Sequence, residues 1–369
     1  MLPVFENMQN RGHEEVVFCN DKETGLKAII AIHNTTIGPA LGGCRMWKYE
    51  SEADALKDVL RLSRGMSYKA AIAGLNLGGG KAVIIGDSKI DKNEILFRSF
   101  GRFVQGLAGR YITAEDVGTS VKDMEWVRME TRYVTGISRA LGGSGDPSPV
   151  TALGTCSGIK ATVKKKLGKD SLYDLKVGVQ GLGHVGYHLC RYLHREGAKL
   201  FVTDIHNESI KRVVDEFGAH VIGMDEIYDA EIDIYAPCAL GATLNNDTIP
   251  KLKCSIVAGA ANNQLKKEDM HAQMLKDRGI LYAPDYAINA GGLINVANEI
   301  EGYNRERAFT QAKEGIYDTL MKIYQESEDD NVTTHMAASK VAKKRISDVS
   351  KLKNVYLPKK NVMGKRDNV

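Results

Sequence analysis

The apolar positions change period along the chain. Gly25 to Ile32 (GLKAIIAI) and Lys81 to Ile85 are short, β-rich apolar runs. Between them Ala53, Leu56, Leu60, Ser63 and Met66 recur at helical spacing, behind a Ser51/Asp54 pair with the pattern of a capping box. From Thr151 the alternation becomes regular. The spacing predicts helices over Thr151 to Lys166, His184 to Arg195 and Glu208 to Phe217, and strands over Lys176 to Gln180 and Leu200 to Asp204. Shorter strands are expected at His220 to Ile222, Asp233 to Ala236, Ser255 to Ala258 and Ile280 to Ala283. Apolar strands alternating with helices mean βαβ units and a parallel sheet. The last stretch, about 40 residues, returns to long amphipathic helix that could pack back on the first domain.

The fold class expected is therefore α/β with two domains, and a length of 369 residues agrees with that number. The Gly/Ser/Pro stretch Gly142 to Pro149 (GGSGDPSP) is the candidate hinge. On this division residues 1–140 together with 328–369 form an N-terminal α/β substrate-binding and oligomerisation domain. Residues 141–327 form a Rossmann-type dinucleotide-binding domain, with a cleft between the two that closes on substrate.

Composition removes several classes of function. The chain is 43% hydrophobic and 26% charged, an ordinary globular balance, and its net charge of +4 is too small to mark a nucleic-acid binder. Much of the excess sits in Lys340, Lys343, Lys344, Arg345, Lys351, Lys353, Lys359, Lys360, Lys365 and Arg366, read as a solvated helix face and tail. No apolar run has the length of a membrane span, about 20 residues, and Met1 to Asn10 lacks the pattern of a secretion signal. The six cysteines form no CxxC pair, which fits a reduced, cytoplasmic protein without a zinc knot. His184 and His188 lie one turn apart with no acidic partner, so no metal site is expected.

The 37 glycines, against 8 prolines, cluster at five places, as if several loops converged on a bound molecule. One cluster reads directly. The strand ending at Gln180 runs into Gly181-Leu182-Gly183-His184-Val185-Gly186, with Tyr187 next, and Asp204 closes the following strand. In that context GxGxxG is a dinucleotide fingerprint. Gly181 allows the tight turn, Gly183 admits the pyrophosphate to a helix N-terminus, and Gly186 lets helix and strand pack closely. Asp204 would accept the adenine-ribose hydroxyls and repel a 2′-phosphate. Ile205 and His206 follow it rather than an arginine, so NAD is expected over NADP.

Chemistry is sought in the N-terminal third. Lys81 follows Gly78-Gly79-Gly80 and precedes an apolar run, which places it at a loop-to-strand junction and draws it inward. Two lysines held near one another lower each other's proton affinity, so one can hold a carboxylate while the other acts as a neutral base. Asp116 stands in YITAEDVG, after β-type residues and before a glycine. From the residues alone, a surface lysine and an ordinary turn aspartate stay open as alternatives.

GPALGGCRMW (38–47), GLNLGGGKAVIIGD (74–87), GRYITAEDVGT (109–119), PCALG (237–241), ANNQL (261–265) and APDYAINAGGLINVANE (283–299) resemble the glutamate/leucine/phenylalanine/valine dehydrogenase family, and within it the leucine-type branch, from about residue 5 to about 345. The resemblance implies that Lys81 is the general base, that Lys69 pairs with the substrate α-carboxylate, and that Asp116 handles protons at the substrate nitrogen. It implies that Gly42 and Gly43 present backbone to the carboxylate and that Asn289 lines the same site. Thr151, Asp204, Ala239 and Asn262 would hold the nicotinamide and ribose portions. The reaction implied is the reversible, NAD-dependent oxidative deamination of an L-amino acid to a 2-oxo acid and ammonia, in a homo-octamer.

The implied side-chain pocket is Leu41, Ala114, Leu293 and Val296. Glutamate-specific relatives carry a lysine at the position of Leu41 and a hydroxyl residue at that of Val296, so here a glutamate carboxylate would be buried unpaired. Leucine, isoleucine and valine are the expected substrates. Leu293 is the phenylalanine-type residue, which keeps a phenylalanine dehydrogenase as the alternative, and Asn298 stands where relatives carry Asp. An alternative of another class, a non-catalytic NAD-binding regulator, requires loss of Lys69, Lys81 and Asp116; all three are present.

Overall fold

The computed structural model describes residues 4–239 and 241–352. These divide into two compact units. One holds residues 4–146, 296–305 and 342–352; the other holds 147–295, apart from residue 240, and 306–341. The basic residues from Lys353 onward lie outside the described residues, as does Leu240 of the PCALG segment.

The first unit runs α1 (Val4–Arg11), β1 (Glu15–Asp21), β2 (Leu26–Asn34), β3 (Ala40–Trp47), α2 (Glu52–Ile72), β4 (Gly78–Ile85), α3 (Glu94–Gly106), β5 (Tyr111–Glu115) and α4 (Val121–Arg128). Its sheet has the order β1-β2-β4-β3-β5, antiparallel through β1, β2 and β4 and parallel through β4, β3 and β5. Alternate residues face opposite sides. Ile29, Ala31 and Val83 meet Ala55, Leu56, Val59 and Leu60 of α2 on one face. Ile30, Cys44 and Ala82 pack with Phe97, Phe100 and Met124 on the other. Ser51 caps α2 by accepting the amide of Asp54, as its spacing predicts.

One expectation is corrected here. The triple glycine is not a loop before the strand; Gly78, Gly79 and Gly80 are the first residues of β4, and Lys81 lies inside it. The glycines answer to crowding. A Cβ on Gly78 would stand 2.0 Å from the Asn34 carbonyl oxygen, one on Gly79 2.0 Å from the Ser67 amide, and one on Gly80 2.7 Å from the Tyr111 ring.

The end of the described chain packs on this unit, and a second expectation changes. Arg345 is no solvated residue. Its guanidinium donates to the carbonyls of Ala71 (2.9 Å), Leu75 (2.8 Å) and Gly74 (3.0 Å), at and just beyond the C-terminus of α2.

The second unit carries α5 (Ser148–Leu167), β6 (Lys176–Gln180), α6 (His184–Arg195), β7 (Lys199–Thr203), α7 (Asn207–Phe217), β8 (His220–Val221), β9 (Ile234–Pro237), β10 (Ile256–Val257), α8 (Glu268–Asp277), β11 (Leu281–Tyr282) and α9 (Asp285–Ile288). The later helices are α10 (Gly291–Ala297), α11 (Arg305–Asp329) and α12 (Thr334–Ser350). Its sheet is parallel throughout, in the order β11-β10-β9-β6-β7-β8. The chain moves outward from β6 to β7 and β8, then returns to β9 on the other side of β6. That reversal is the switch point at which doubly wound sheets bind nucleotides.

Candidate active site

Strand register brings the candidate chemical residues together in the first unit. Leu41, Gly43 and Arg45 on β3 share a face with Gly79, Lys81 and Val83 on β4 and with Ala114 on β5, the face that α2 covers. Lys81 is 5% exposed, and its Nζ lies 3.1 Å from Asp116 Oδ1. Gly43 makes room for this pair, since a Cβ there would stand 2.5 Å from the Glu115 carbonyl oxygen and 2.8 Å from Asp116 Cβ. Gly42 points the other way, where a Cβ would fall 1.7 Å from the Gly80 carbonyl oxygen. The Asp116 amide donates to Thr119 Oγ1 (2.9 Å), whose hydroxyl donates to the Cys44 carbonyl (2.9 Å).

Asp116 has a second cation. Arg45 Nε donates to Oδ2 at 3.0 Å. Burial pushes the Asp116 carboxyl up, but Lys81 and Arg45 outweigh it and hold the group below its ordinary range. Arg45 is itself anchored, its Nη1 donating to Asp58 Oδ2 on α2 at 2.9 Å. Asp58 also accepts the Tyr49 hydroxyl (2.8 Å) and Arg61 (3.0 Å). Lys69, in the last turn of α2, is partly buried. It lies eleven residues after Asp58, about three helical turns, and so on the same side of the helix. Leu41 and Ala114 are buried apolar walls of this face. Val296, partly buried, belongs to the first unit, and Leu293, buried, to the second.

The second unit holds the dinucleotide features. Gly181 has φ +96°, in the left-handed region, and a Cβ there would stand 2.6 Å from the Ala239 amide nitrogen. A Cβ on Gly186 would fall 2.0 Å from the Gly181 carbonyl oxygen, so this glycine sets how closely α6 approaches β6. Gly183 caps α6 with nothing within 4 Å of its Cβ position. Gly183 and His184 are exposed, and Leu182 is buried beneath them. The result is an open helix N-terminus with free space over a glycine, a cradle that fits a pyrophosphate. Val185 and Tyr187 follow on α6, the Tyr187 hydroxyl donating to Glu216 (2.6 Å). Asp204 closes β7. Its carboxylate accepts the Leu182 amide, which ties it to the glycine loop, and the His206 amide at 2.8 Å.

Asn289, 4% exposed, donates through Nδ2 to Asn262 Oδ1 (2.7 Å) and to the Ala260 carbonyl (3.1 Å). Two residues that the sequence assigned separately, to substrate and to nicotinamide, are thus one hydrogen-bonded pair. Thr151 lies in the first turn of α5 against Gly291 and Gly292, where added Cβ atoms would stand 2.8 Å from Thr151 Cα and 3.0 Å from its Oγ1.

A family model described as the dimerisation domain of Glu/Leu/Phe/Val dehydrogenases matches residues 13–133, and one described as glutamate/leucine/phenylalanine/valine dehydrogenase matches residues 201–353. A leucine dehydrogenase from Thermoactinomyces intermedius is 58% identical over 96% of this chain and 97% of its own. The chain belongs to the glutamate/leucine/phenylalanine/valine dehydrogenase family. A phenylalanine dehydrogenase from Bacillus thermotolerans is 48% identical, covering 96% of this chain and 93% of that one. The crystal structure of L-tryptophan dehydrogenase from Nostoc punctiforme superposes with a TM-score of 0.86 at 49% identity, covering 94% of this chain and 100% of that one.

Sequence pattern alone does not single out Arg45, Asp58 or Glu299 within this family frame. Arg45 stood in a quoted motif, and its signal was a charge on an apolar strand in step with Lys81. Asp58 looks like any exposed helix residue. Glu299, 2% exposed, accepts the amides of Gly136 (3.0 Å) and Ser144 (2.8 Å) through Oε1. Burial first, then Asp146 and Glu299, push the neighbouring Glu115 carboxyl up. Asn298 is buried beside Glu299.

Proposed function

We propose that this chain is an NAD-dependent dehydrogenase of branched-chain L-amino acids, converting leucine, isoleucine and valine to 2-oxo acids and ammonia. The observation that carries this is the buried Lys81 amine, 3.1 Å from Asp116, on a sheet face walled by Leu41 and Ala114. The 56–58% identical relatives named leucine dehydrogenase support the substrate class. Lys69 and the backbone at Gly42 and Gly43 hold the α-carboxylate, and the apolar character of Leu41, Ala114, Leu293 and Val296 suits an aliphatic side chain.

The residues of the second unit would hold a dinucleotide, which would supply the two-electron acceptor for the α-hydride. Thr151, Gly181 to Tyr187, Ala239 and Asn262 hold the dinucleotide, Asp204 selects NAD, and Asn289 positions the substrate. The α-carbon is left as an imine. Lys81 takes a proton from water as its oxygen attacks that carbon. The nitrogen takes that proton by way of Asp116, and as the C–N bond breaks the hydroxyl proton returns to Lys81, releasing ammonia and the 2-oxo acid. Because Asp116 is held ionised, it stores no proton of its own; it relays one received across the 3.1 Å contact from Lys81.

Assembly as a homo-octamer and a cytoplasmic setting belong to the same reading. All six cysteines are free thiols, which suits a reducing compartment. The test is a panel of L-amino acids with NAD or NADP, following reduced cofactor. Leucine, isoleucine and valine with NAD are expected to lead. A large preference for phenylalanine or tryptophan would move the chain to the aromatic branch, for which Leu293 speaks. No reduced cofactor with any amino acid would leave a non-catalytic regulator.

A further inference from the structure

Four charged side chains of alternating sign cross the α2 face of the first unit: Asp58, Arg45, Asp116 and Lys81. They come from α2, β3, the end of β5 and β4, so no local segment brings them together. Arg45 is the joint. Its Nε serves Asp116 Oδ2 at 3.0 Å and its Nη1 serves Asp58 Oδ2 at 2.9 Å, so one planar guanidinium spans two carboxylates. Tyr49, bonded to the same Asp58 oxygen, braces the far end. With Oδ2 occupied, the carboxylate is oriented so that Oδ1 meets the Lys81 amine.

We propose that Arg45, braced by Asp58 and Tyr49, is a positioning residue for the proton relay, fixing the Asp116 carboxylate so that its other oxygen faces Lys81. The inference rests on the functional reading above and extends it to a residue that touches no reacting atom. A plain staple between β3 and α2 needs only the Arg45–Asp58 contact. The second contact goes to the one carboxylate that meets Lys81, and the guanidinium geometry joins them. A lysine at this position is a point charge and holds one carboxylate or the other, not both in one plane.

Charge follows from the same geometry. The groups facing Asp116 are Lys81 from β4, Arg45 from β3, and Glu115 beside it on β5, with Tyr49 and Asp58 behind Arg45 and buried Cys44 below. Without Arg45, the opposition to the upward push of burial on Asp116 rests chiefly on Lys81, and the titration of Asp116 moves to higher pH.

The experiment compares wild type with Arg45→Ala, Arg45→Lys and Asp58→Asn in the full chain. For Arg45→Ala, kcat for leucine is expected to fall about 100-fold with the leucine KM within about threefold, because orientation and not binding is lost. The low-pH limb of kcat moves upward, NADH affinity is unchanged, and added guanidinium ion restores part of the rate. Arg45→Lys, which keeps the charge and a folded sheet, recovers at most about a tenth of the lost activity, and Asp58→Asn loses about tenfold. A readout without turnover uses the ¹³C carboxyl resonance of Asp116, assigned by its disappearance in Asp116→Asn. It is expected to titrate at higher pH in Arg45→Ala. A wild type that turns over no amino acid would defeat the functional reading, while the Asp116 titration would still decide the role of Arg45. An unmoved Asp116 titration, or full activity in Arg45→Lys with a normal pH profile, would overturn the proposal.

Discussion

The two units reach their binding features by opposite routes. In the second, the turn of Gly181, the open cap at Gly183 and the close approach at Gly186 fall within six consecutive residues at one strand-to-helix junction of an all-parallel sheet. In the first, the mixed sheet joins residues far apart in the chain, the partners Arg45 and Asp116 standing 71 positions apart. A local device tolerates change around it. A device assembled across strands depends on the packing of the whole unit.

Glycine substitutions break this comparison most sharply. Gly42→Ala forces a Cβ to 1.7 Å from the Gly80 carbonyl oxygen on a central strand, where backbone must move. The expected loss is about 4 kcal/mol or more, read from the urea midpoint. Gly183→Val meets nothing within 4 Å at its Cβ and leaves that midpoint nearly unchanged. It instead weakens NADH binding by about 10- to 100-fold in a fluorescence titration, because the side chain fills the space over the helix N-terminus. Equal destabilisation by the two substitutions would erase the distinction.

Asp204→Arg sharpens the local side. The carboxylate accepts the Leu182 amide, and on the proposed reading it would repel a 2′-phosphate. The ratio of kcat/KM for NAD over NADP should fall by about tenfold or more. An unchanged ratio would take Asp204 out of the ribose site.

This contrast also explains what was legible in the sequence. GxGxxG with an aspartate at the next strand end carries its mechanism in its spacing, and the alternation of strand and helix announced the parallel sheet. The chemical site had no such local signature. Local pattern makes Lys81 and Asp116 candidates, but their roles come only with the resemblance, and the triple glycine looks like a loop because its three crowding partners, Asn34, Ser67 and Tyr111, lie in other segments. Arg45 and Arg345 were passed over or read as surface for the same reason. Each is defined by acceptors that only the folded chain brings to it.

The smallest expected effect concerns His13. It is buried against Leu60 and Ser63, with its ring 4.9 Å from that of His33. Burial first, then His33, push it down from 6.5 to about 4. Between these values the unfolded chain binds a proton that the native state refuses, so stability falls as pH drops through that window. His13→Gln should flatten the fall in urea midpoint between about pH 7 and about pH 5. An identical pH dependence in the variant would assign the effect to other groups.

The most direct measurement is the pairing of turnover with NADH binding in Lys81→Ala. The amine belongs to the first unit and the glycine cradle to the second. Leucine oxidation is expected to fall by about 10⁴-fold or more while the NADH dissociation constant stays within about twofold. Retained turnover, or loss of NADH binding together with activity, would contradict the assignment of chemistry to Lys81.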